Sequence, residues 1–407
     1  MKQIIVGGYP DALNNASDEY NSLAGGRLWS NVAGINKQVI SCDGTFRRLH
    51  VELDGVPGTN PFYFTLEVNG VASTLVAIVT AAATQGRDIT HSVAVNTGDY
   101  VRLIQTRPDG NPTNTPTAKW SCEFEGDNPG ESLLLSNCGS NIAATQYASV
   151  QNGTGAGSAT ELNVYQIIPT DGKIRDLYGI FSASPGAAPE AYTVTLRVNG
   201  ADSTLTFTIT APNTTGSDTT HEVAVNAGDY VSYSIVPVNA PTVAPLVYLG
   251  AVFAPDIDGE SILMGCSYDW PANAATEYQM LTGVGILVWD PTEANRLQNG
   301  QSATPSATLR KFYVRLFGAP GAGTSRDISV RVNGAASGIT VTIADLATTA
   351  SDLVHTYDLQ DYDDLSIENV PVGVPTCNVT YWGMVCYIPS RRSIYNVAPK
   401  LLAANAI

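Results

Sequence analysis

An Asn-Gly dipeptide occurs three times in this chain in the same surroundings. Each time a histidine follows the glycine by 21 residues and an aspartate follows the histidine by 8, at Gly70, His91 and Asp99, at Gly200, His221 and Asp229, and at Gly334, His355 and Asp363. The flanking text is shared too: TLEVNG and THSVAVNTGDYV, TVTLRVNG and THEVAVNAGDYV, SVRVNG and VHTYDLQDYDDL. A register kept to the residue in three places requires that each copy be the same supersecondary unit.

The shared unit is longer than this motif. IIVGGYPDALNNASDEY, LLLSNCGSNIAATQY and ILMGCSYDWPANAATEY, ending at Tyr20, Tyr147 and Tyr278, open the three copies, and WSCEFEG, YLGAVFA and YWGMVCY close them. Boundaries near residues 126 and 256 follow. They give repeats over 1–126, 127–256 and 257–390 with a tail over 391–407, a domain size in the usual range. No Pro/Ser-rich linker separates the copies, so the three domains are expected to pack closely in a row.

Within each copy the pattern is that of strands. Tyr192, Val194, Leu196 and Val198 alternate with Thr193, Thr195 and Arg197, and Leu205, Phe207 and Ile209 alternate with threonines, so one face is buried and one is wet. Asn69-Gly70, Asn199-Gly200 and Asn333-Gly334 lie between such runs and predict type I′ hairpin turns, in which both central residues need positive φ. Charged residues are only 14% of the chain. That composition disfavours amphipathic helices and, with turn signals every 8–12 residues, predicts an all-β chain of three tandem antiparallel β-sandwich, jelly-roll-like domains of about eight strands each.

The net charge of −16 would repel a phosphate backbone, so no nucleic-acid partner is expected. No apolar run approaches the roughly 20 residues of a membrane span, and the start, MKQIIVGGYPDALNNAS, carries too short an apolar run for a signal peptide. The six cysteines make no C-x-x-C pair and do not recur in the repeat, which predicts six individual buried thiols. The sequons at Asn15, Asn152, Asn213 and Asn378 have no weight without secretion.

Candidate chemistry is sparse. His91, His221 and His355 each follow an aspartate by three residues (Asp88, Asp218, Asp352), but one His and one Asp fall short of a zinc site. Recurrence in three copies argues for scaffold. His50 has no histidine counterpart in the other copies, and no triad suggests itself. GAPGAGTS at 318–325 lacks the Gly-Lys-Ser/Thr of a phosphate loop. No cofactor, metal or catalytic residue is expected, and a carbohydrate-active enzyme ranks third among the readings considered.

A strand that ends in Gly-Asp-Tyr-Val after an Asn-Gly hairpin resembles jelly-roll modules of the broad kind seen in C1q/TNF-like domains and in bacteriophage virion proteins. The third copy departs from it, with Tyr362-Asp363-Asp364 in place of Gly-Asp-Tyr. The resemblance implies a structural or binding role in an oligomer. The expected function is therefore a non-enzymatic structural subunit of a particle, a phage capsid, decoration, neck or tail component located in the virion, whose partners are copies of itself and other particle proteins. The alternative is a subunit of an extracellular microbial filament or adhesin.

The tail continues as RRSIYNVAPKLLAANAI, with no acidic residue after Glu368. Arg391, Arg392, Ile394, Tyr395 and Lys400 are its candidate subunit contacts. A basic arm beneath an acidic body is expected to lie on a neighbouring subunit, adding a strand to an open sheet edge, the alternative being a tail folded against its own third domain.

Overall fold

The computed structural model describes residues 1–389 apart from positions 27, 139–141, 154–156, 268, 285–287, 302–305 and 377–378. The fold is all-β, and the helical pieces among the described residues are two 3₁₀ turns at Glu161–Asn163 and Glu293–Arg296. In the first domain the strands are β1 (Lys2–Ala12), β2 (Glu19–Asn21), β3 (Gln38–Val39), β4 (Gly44–Leu53), β5 (Phe62–Val68), β6 (Val71–Val79), β7 (Gln85–Val95), β8 (Tyr100–Thr106) and β9 (Thr117–Gly126). The second has β10 (Ser132–Cys138), β11 (Gln146–Ala148), β12 (Gln166–Ile167), β13 (Gly172–Phe181), β14 (Ala191–Val198), β15 (Ala201–Thr210), β16 (Thr215–Val225), β17 (Tyr230–Val238) and β18 (Val247–Pro255). The third has β19 (Glu260–Cys266), β20 (Glu277–Gln279), β21 (Gly283–Val284), β22 (Gln298–Asn299), β23 (Thr308–Leu316), β24 (Gly321–Val332), β25 (Ala335–Asp345), β26 (Thr349–Asp352), β27 (Tyr357–Asp358), β28 (Asp364–Val372) and β29 (Thr380–Tyr387).

Each domain is two antiparallel sheets face to face. In the first, one sheet runs β1-β9-β4-β7 and the other β2-β8-β5-β6, with β3 also on β8. The second repeats this as β10-β18-β13-β16 and β11-β17-β14-β15, the third as β19-β29-β23-β26 and β20-β28-β24-β25, with the short β21 added parallel to β19. Neighbours that are not consecutive in the chain, first beside last in one sheet and second beside second-last in the other, are the jelly-roll winding. Alternation places the core as the sequence indicates: Leu205, Phe207 and Ile209 are buried between exposed threonines, against Tyr192, Val194 and Leu196 of β14.

The opening strands behave differently. All seven residues of β10 and all seven of β19 are buried, which needs cover on both faces of the sheet. One face serves the strand's own sandwich: Ile5, Leu134 and Leu263 belong to the first, second and third cores. The other face enters a neighbour. Leu133 and Leu135 complete the first domain's core, Ile262 and Met264 the second's, and Ile4 and Val6 the third's. At about 1.5–3 kcal/mol for each fully buried aliphatic side chain, these pairs are a large part of what joins the domains.

That cycle of contacts corrects the expected row. The third domain takes in Ile4 and Val6 of the first, so the three sandwiches close into a ring about a quasi-three-fold axis. The short strands repeat the cycle. Val39 of β3 lies on β18, Ile167 of β12 on β29, and Asn299 of β22 on β9. A side chain added at Gly250 would meet Val39 O at 2.1 Å and one at Gly383 would meet Ile167 O at 1.9 Å. At the third equivalent place Ser121 instead donates its Oγ to Asn299 Oδ1, at 2.9 Å. The row was the wrong reading because short linkers restrict distance and not direction.

In solution, X-ray scattering should give a compact three-lobed particle, and a rod-like distance distribution would contradict the ring. Gly383→Val should drive β12 off β29, lowering stability by roughly 1–3 kcal/mol and enlarging the radius of gyration at unchanged β content by circular dichroism.

Candidate functional site

The residues that recur through the repeat are joined to one another. Asn69, Asn199 and Asn333 have φ of 52°, 53° and 52°, and Gly70, Gly200 and Gly334 have 82°, 79° and 74°. These are the left-handed pairs of a type I′ turn. Each asparagine then reaches the second repeated turn. Its Nδ2 donates to Asp99, Asp229 or Asp363 at 2.6, 2.7 and 2.8 Å. Its Oδ1 accepts the amide of Tyr100, Tyr230 or Asp364 at 3.0, 3.1 and 2.8 Å. The Asn-Gly turn and the Gly-Asp turn are two halves of one clasp, which explains why both recur in fixed register.

The Asp-His pairs are a second clip. Asp218 accepts the amides of Thr220 and His221 on Oδ1 and the amide of Thr206, from the neighbouring strand β15, on Oδ2. The His221 ring contacts the same carboxylate at 2.9 Å. Asp88 and Asp352 make the corresponding bonds. Burial pushes the Asp88 and Asp218 carboxyls up, but the converging amides outweigh it and hold both well below the usual carboxylate range. Among the described residues no group of three His, Cys, Asp or Glu is placed to hold a metal ion.

At the quasi-three-fold axis three loops meet. A Cβ on Gly25 would lie 2.6 Å from Gly153 N, one on Gly153 would lie 2.3 Å from Ala24 O, and one on Gly283 would lie 3.5 Å from Gly25 Cα. Three fully buried glutamines hold this point. Gln38 accepts the Ala24 amide and donates to Ala24 O at 3.1 Å and to Asn152 O of the second domain at 3.0 Å. Gln166 binds both backbone groups of Gln151 and donates to Met264 O of the third at 3.1 Å. Gln298 binds both of Thr282 and donates to Gly25 O of the first at 3.2 Å. Gln3 and Gln151 similarly pair with the opening strands of the next domains, at Leu133 and at Ile262 and Met264. A carboxamide offers donor and acceptor without charge, so it can satisfy buried backbone at a cost that an ionised group would exceed.

The three seams share geometry and differ in chemistry. Tyr100, Tyr230 and Asp364 are equivalent residues following the Gly-Asp turn. At the first-second seam Lys37 Nζ sits 4.3 Å from the Tyr100 ring and 5.9 Å from that of Tyr248, and Tyr248 Oη donates to Gly34 O at 2.7 Å. At the second-third seam Tyr165 packs on Tyr230 and Tyr381 with centroids 4.5 and 5.7 Å apart, and Arg315 lies 4.7 Å over Tyr230. A groove of about 460 Å³ runs beside them, lined by Ile167, Gly228, Tyr313 and Arg315. At the third-first seam Lys119 pairs with Asp364, while Asp361 lies 3.7 Å from Arg48 and 3.4 Å from Arg87.

Two further features were not read from the sequence. Arg48, Asp176 and Lys311 occupy the same bulge in β4, β13 and β23 with φ of 54°, 52° and 52°, and the arginine before each pairs with a buried glutamate, Glu123, Glu131 or Glu260. The third copy's departure from Gly-Asp-Tyr also has a role. Tyr362 keeps the turn at φ 66°, where Gly98 and Gly228 have 89° and 95°, and sets its ring 5.2 Å from His50 of the first domain. The axial glutamines had a weak signal in their common place shortly before β4, β13 and β23.

The cysteines 42, 122, 138, 266 and 386 are buried thiols not joined in disulfides; burial pushes the Cys42 and Cys386 thiols up to about 12. Cys377 and the candidate subunit contacts Arg391, Arg392, Ile394, Tyr395 and Lys400 lie outside the described residues. Compared with known proteins, the chain matches no family model and no curated sequence.

Two measurements test the clasps. Gly200→Val should destabilise the second domain by roughly 1–3 kcal/mol, because a β-branched residue is strained at positive φ. Asp218→Ala should lower stability by roughly 2–4 kcal/mol through the amides it leaves unpaired. Because its folded carboxyl titrates below the unfolded one, the Asp218 contribution is present at neutral pH and fades on acidification. Urea unfolding of the second-domain signal at neutral and acid pH reads both, and a variant as stable as wild type would remove the assignment.

Proposed function

We propose that this chain is a non-enzymatic structural subunit of an assembled particle, a bacteriophage virion protein of the capsid, decoration, neck or tail. The observation that carries this reading is the use made of the repeated polar residues. Asn, Asp, His and Gln at equivalent positions in all three copies are engaged in turns, clips and the axial knot, and they bind backbone or one another. A scaffold that concentrates its polar groups on its own rigidity suits load-bearing assembly. The three-lobed outline also suits a place where other particle proteins meet in threes, and the acidic surface suits a basic arm from a neighbouring copy.

Electron microscopy of the native source, with mass spectrometry of what is seen, separates the readings. Heads or tails containing this chain support the proposal, whereas bare filaments favour the extracellular alternative and isolated monomers sink both. Removing residues 391–407 should abolish higher oligomers by light scattering while leaving the three domains folded by near-ultraviolet circular dichroism. Unchanged mass would remove the arm from the assembly.

A further inference from the structure

The first and second domains are tied through residues 127–131 and the second and third through 256–259, but no peptide ties the third to the first. Among the described residues, every ion pair that crosses from one domain to another lies at this untied seam: Lys119 with Asp364, and Arg48 and Arg87 with Asp361. The carboxylates come from the sequence DYDD at 361–364, where the other copies have TGDY at 97–100 and AGDY at 227–230. Opposite it stands His50, fully buried, with neither ring nitrogen hydrogen-bonded. Tyr178 and Tyr313 hold the corresponding place in β13 and β23. Both the seam's acids and its histidine are therefore departures from the repeat, confined to the one junction that the chain does not enforce.

We propose that the third-first seam is an acid-released latch, closed at neutral pH and opened under acid while the three sandwiches stay folded. The groups facing His50 are Arg48 on its own strand, Arg87 on β7, and Asp361 and Tyr362 from the third domain; Glu123 with Arg48, and Glu52 and Asp364 with Lys119, complete the ion pairs around it. At neutral pH the carboxylates of Asp361, Asp364 and Glu52 balance the cations of Arg48, Arg87 and Lys119, and the neutral imidazole adds no charge. Under acid the buried imidazole takes a proton and becomes a cation. Its new charge then lies against Arg48 and Arg87 in a buried seam, where like charges repel. Glu52 takes its own proton early, because burial pushes its carboxyl up.

The direction follows from linkage. Burial lowers the His50 pKa from 6.5 to about 4, and opening the seam restores the ordinary value. The closed state therefore holds its full advantage above about pH 6.5 and loses it progressively as the pH falls toward 4. The contact of Ile4 and Val6 with the third core does not titrate, and its strength sets how far into that window the latch holds. The other two seams carry cation-ring and tyrosine contacts and remain tied by peptide.

Val71, Ala201 and Ala335 are equivalent exposed residues that follow the three hairpin turns. Cysteines introduced there in pairs, in the full chain, can carry fluorophores because the described native thiols are buried. The proposal expects the Val71→Cys/Ala335→Cys pair to lose energy transfer as pH falls from neutral to about 4. The Val71→Cys/Ala201→Cys and Ala201→Cys/Ala335→Cys pairs should hold theirs, with the near-ultraviolet circular dichroism retained. His50→Gln should shift the midpoint down by about half a pH unit or more, and Asp361→Asn, which removes the carboxylate that reaches Arg48 and Arg87 across the seam, should shift it up. Added salt should also shift it up by screening the pairs. The latch is overturned if all three distances change together, if none changes before the domains unfold, or if both substitutions leave the midpoint in place.

Discussion

Everything in this molecule depends on three strands being covered from both sides. β1, β10 and β19 each give one face to their own sandwich and the other to a neighbour, so none of the three cores is complete within its own domain. A jelly roll normally leaves the outer faces of its sheets to water. Here the apolar outer face of the opening strand makes the isolated domain incomplete, and a closed cycle is the arrangement that satisfies all three at once. The glutamines at the axis follow from this choice. Converging strands bring buried backbone amides and carbonyls together, and neutral side-chain amides are what can pair with them at that depth.

The fold was largely legible because its signals are local. The alternation of Leu205, Phe207 and Ile209, the Asn-Gly turns and the repeat register each constrain a stretch of a few residues, and backbone sterics then fix the outcome. The ring was harder to read because its signal was ambiguous. The runs IIV, LLL and ILM do not alternate, which is the mark of a strand buried twice, but a run of three apolar residues says nothing about which partner lies behind it. The axial glutamines were passed over because Gln is ordinarily a surface residue. Arg48, Asp176 and Lys311 bear no mark of positive φ, since glycine is absent there and tertiary contacts impose the bulge. His50 was set aside for lacking a counterpart, although its singularity is what the structure makes meaningful.

Departures from a repeat are therefore as informative as the repeat. The clasp of Asn333 with Asp363 survives in the third copy although glycine has become Tyr362, so the turn is preserved at some cost in backbone strain. What the change provides is a ring and two carboxylates directed at the first domain. The same reasoning separates the seams: three places with one geometry carry a lysine between tyrosines, a tyrosine cluster with an arginine, and an ion-pair network. Distinct side chains at equivalent positions discourage a domain from docking in the wrong order.

Carrying three domains on one polypeptide also changes the thermodynamics of the three-fold particle. A trimer of separate chains falls apart on dilution, since its association is third order in protein. Here the third domain meets the first at an effective concentration on the order of millimolar, fixed by the short connections and not by how much protein is present. The three lobes arrive in fixed ratio and fixed order from one translation event. Ring closure is then unimolecular, equally complete in a sparse solution and in a crowded one.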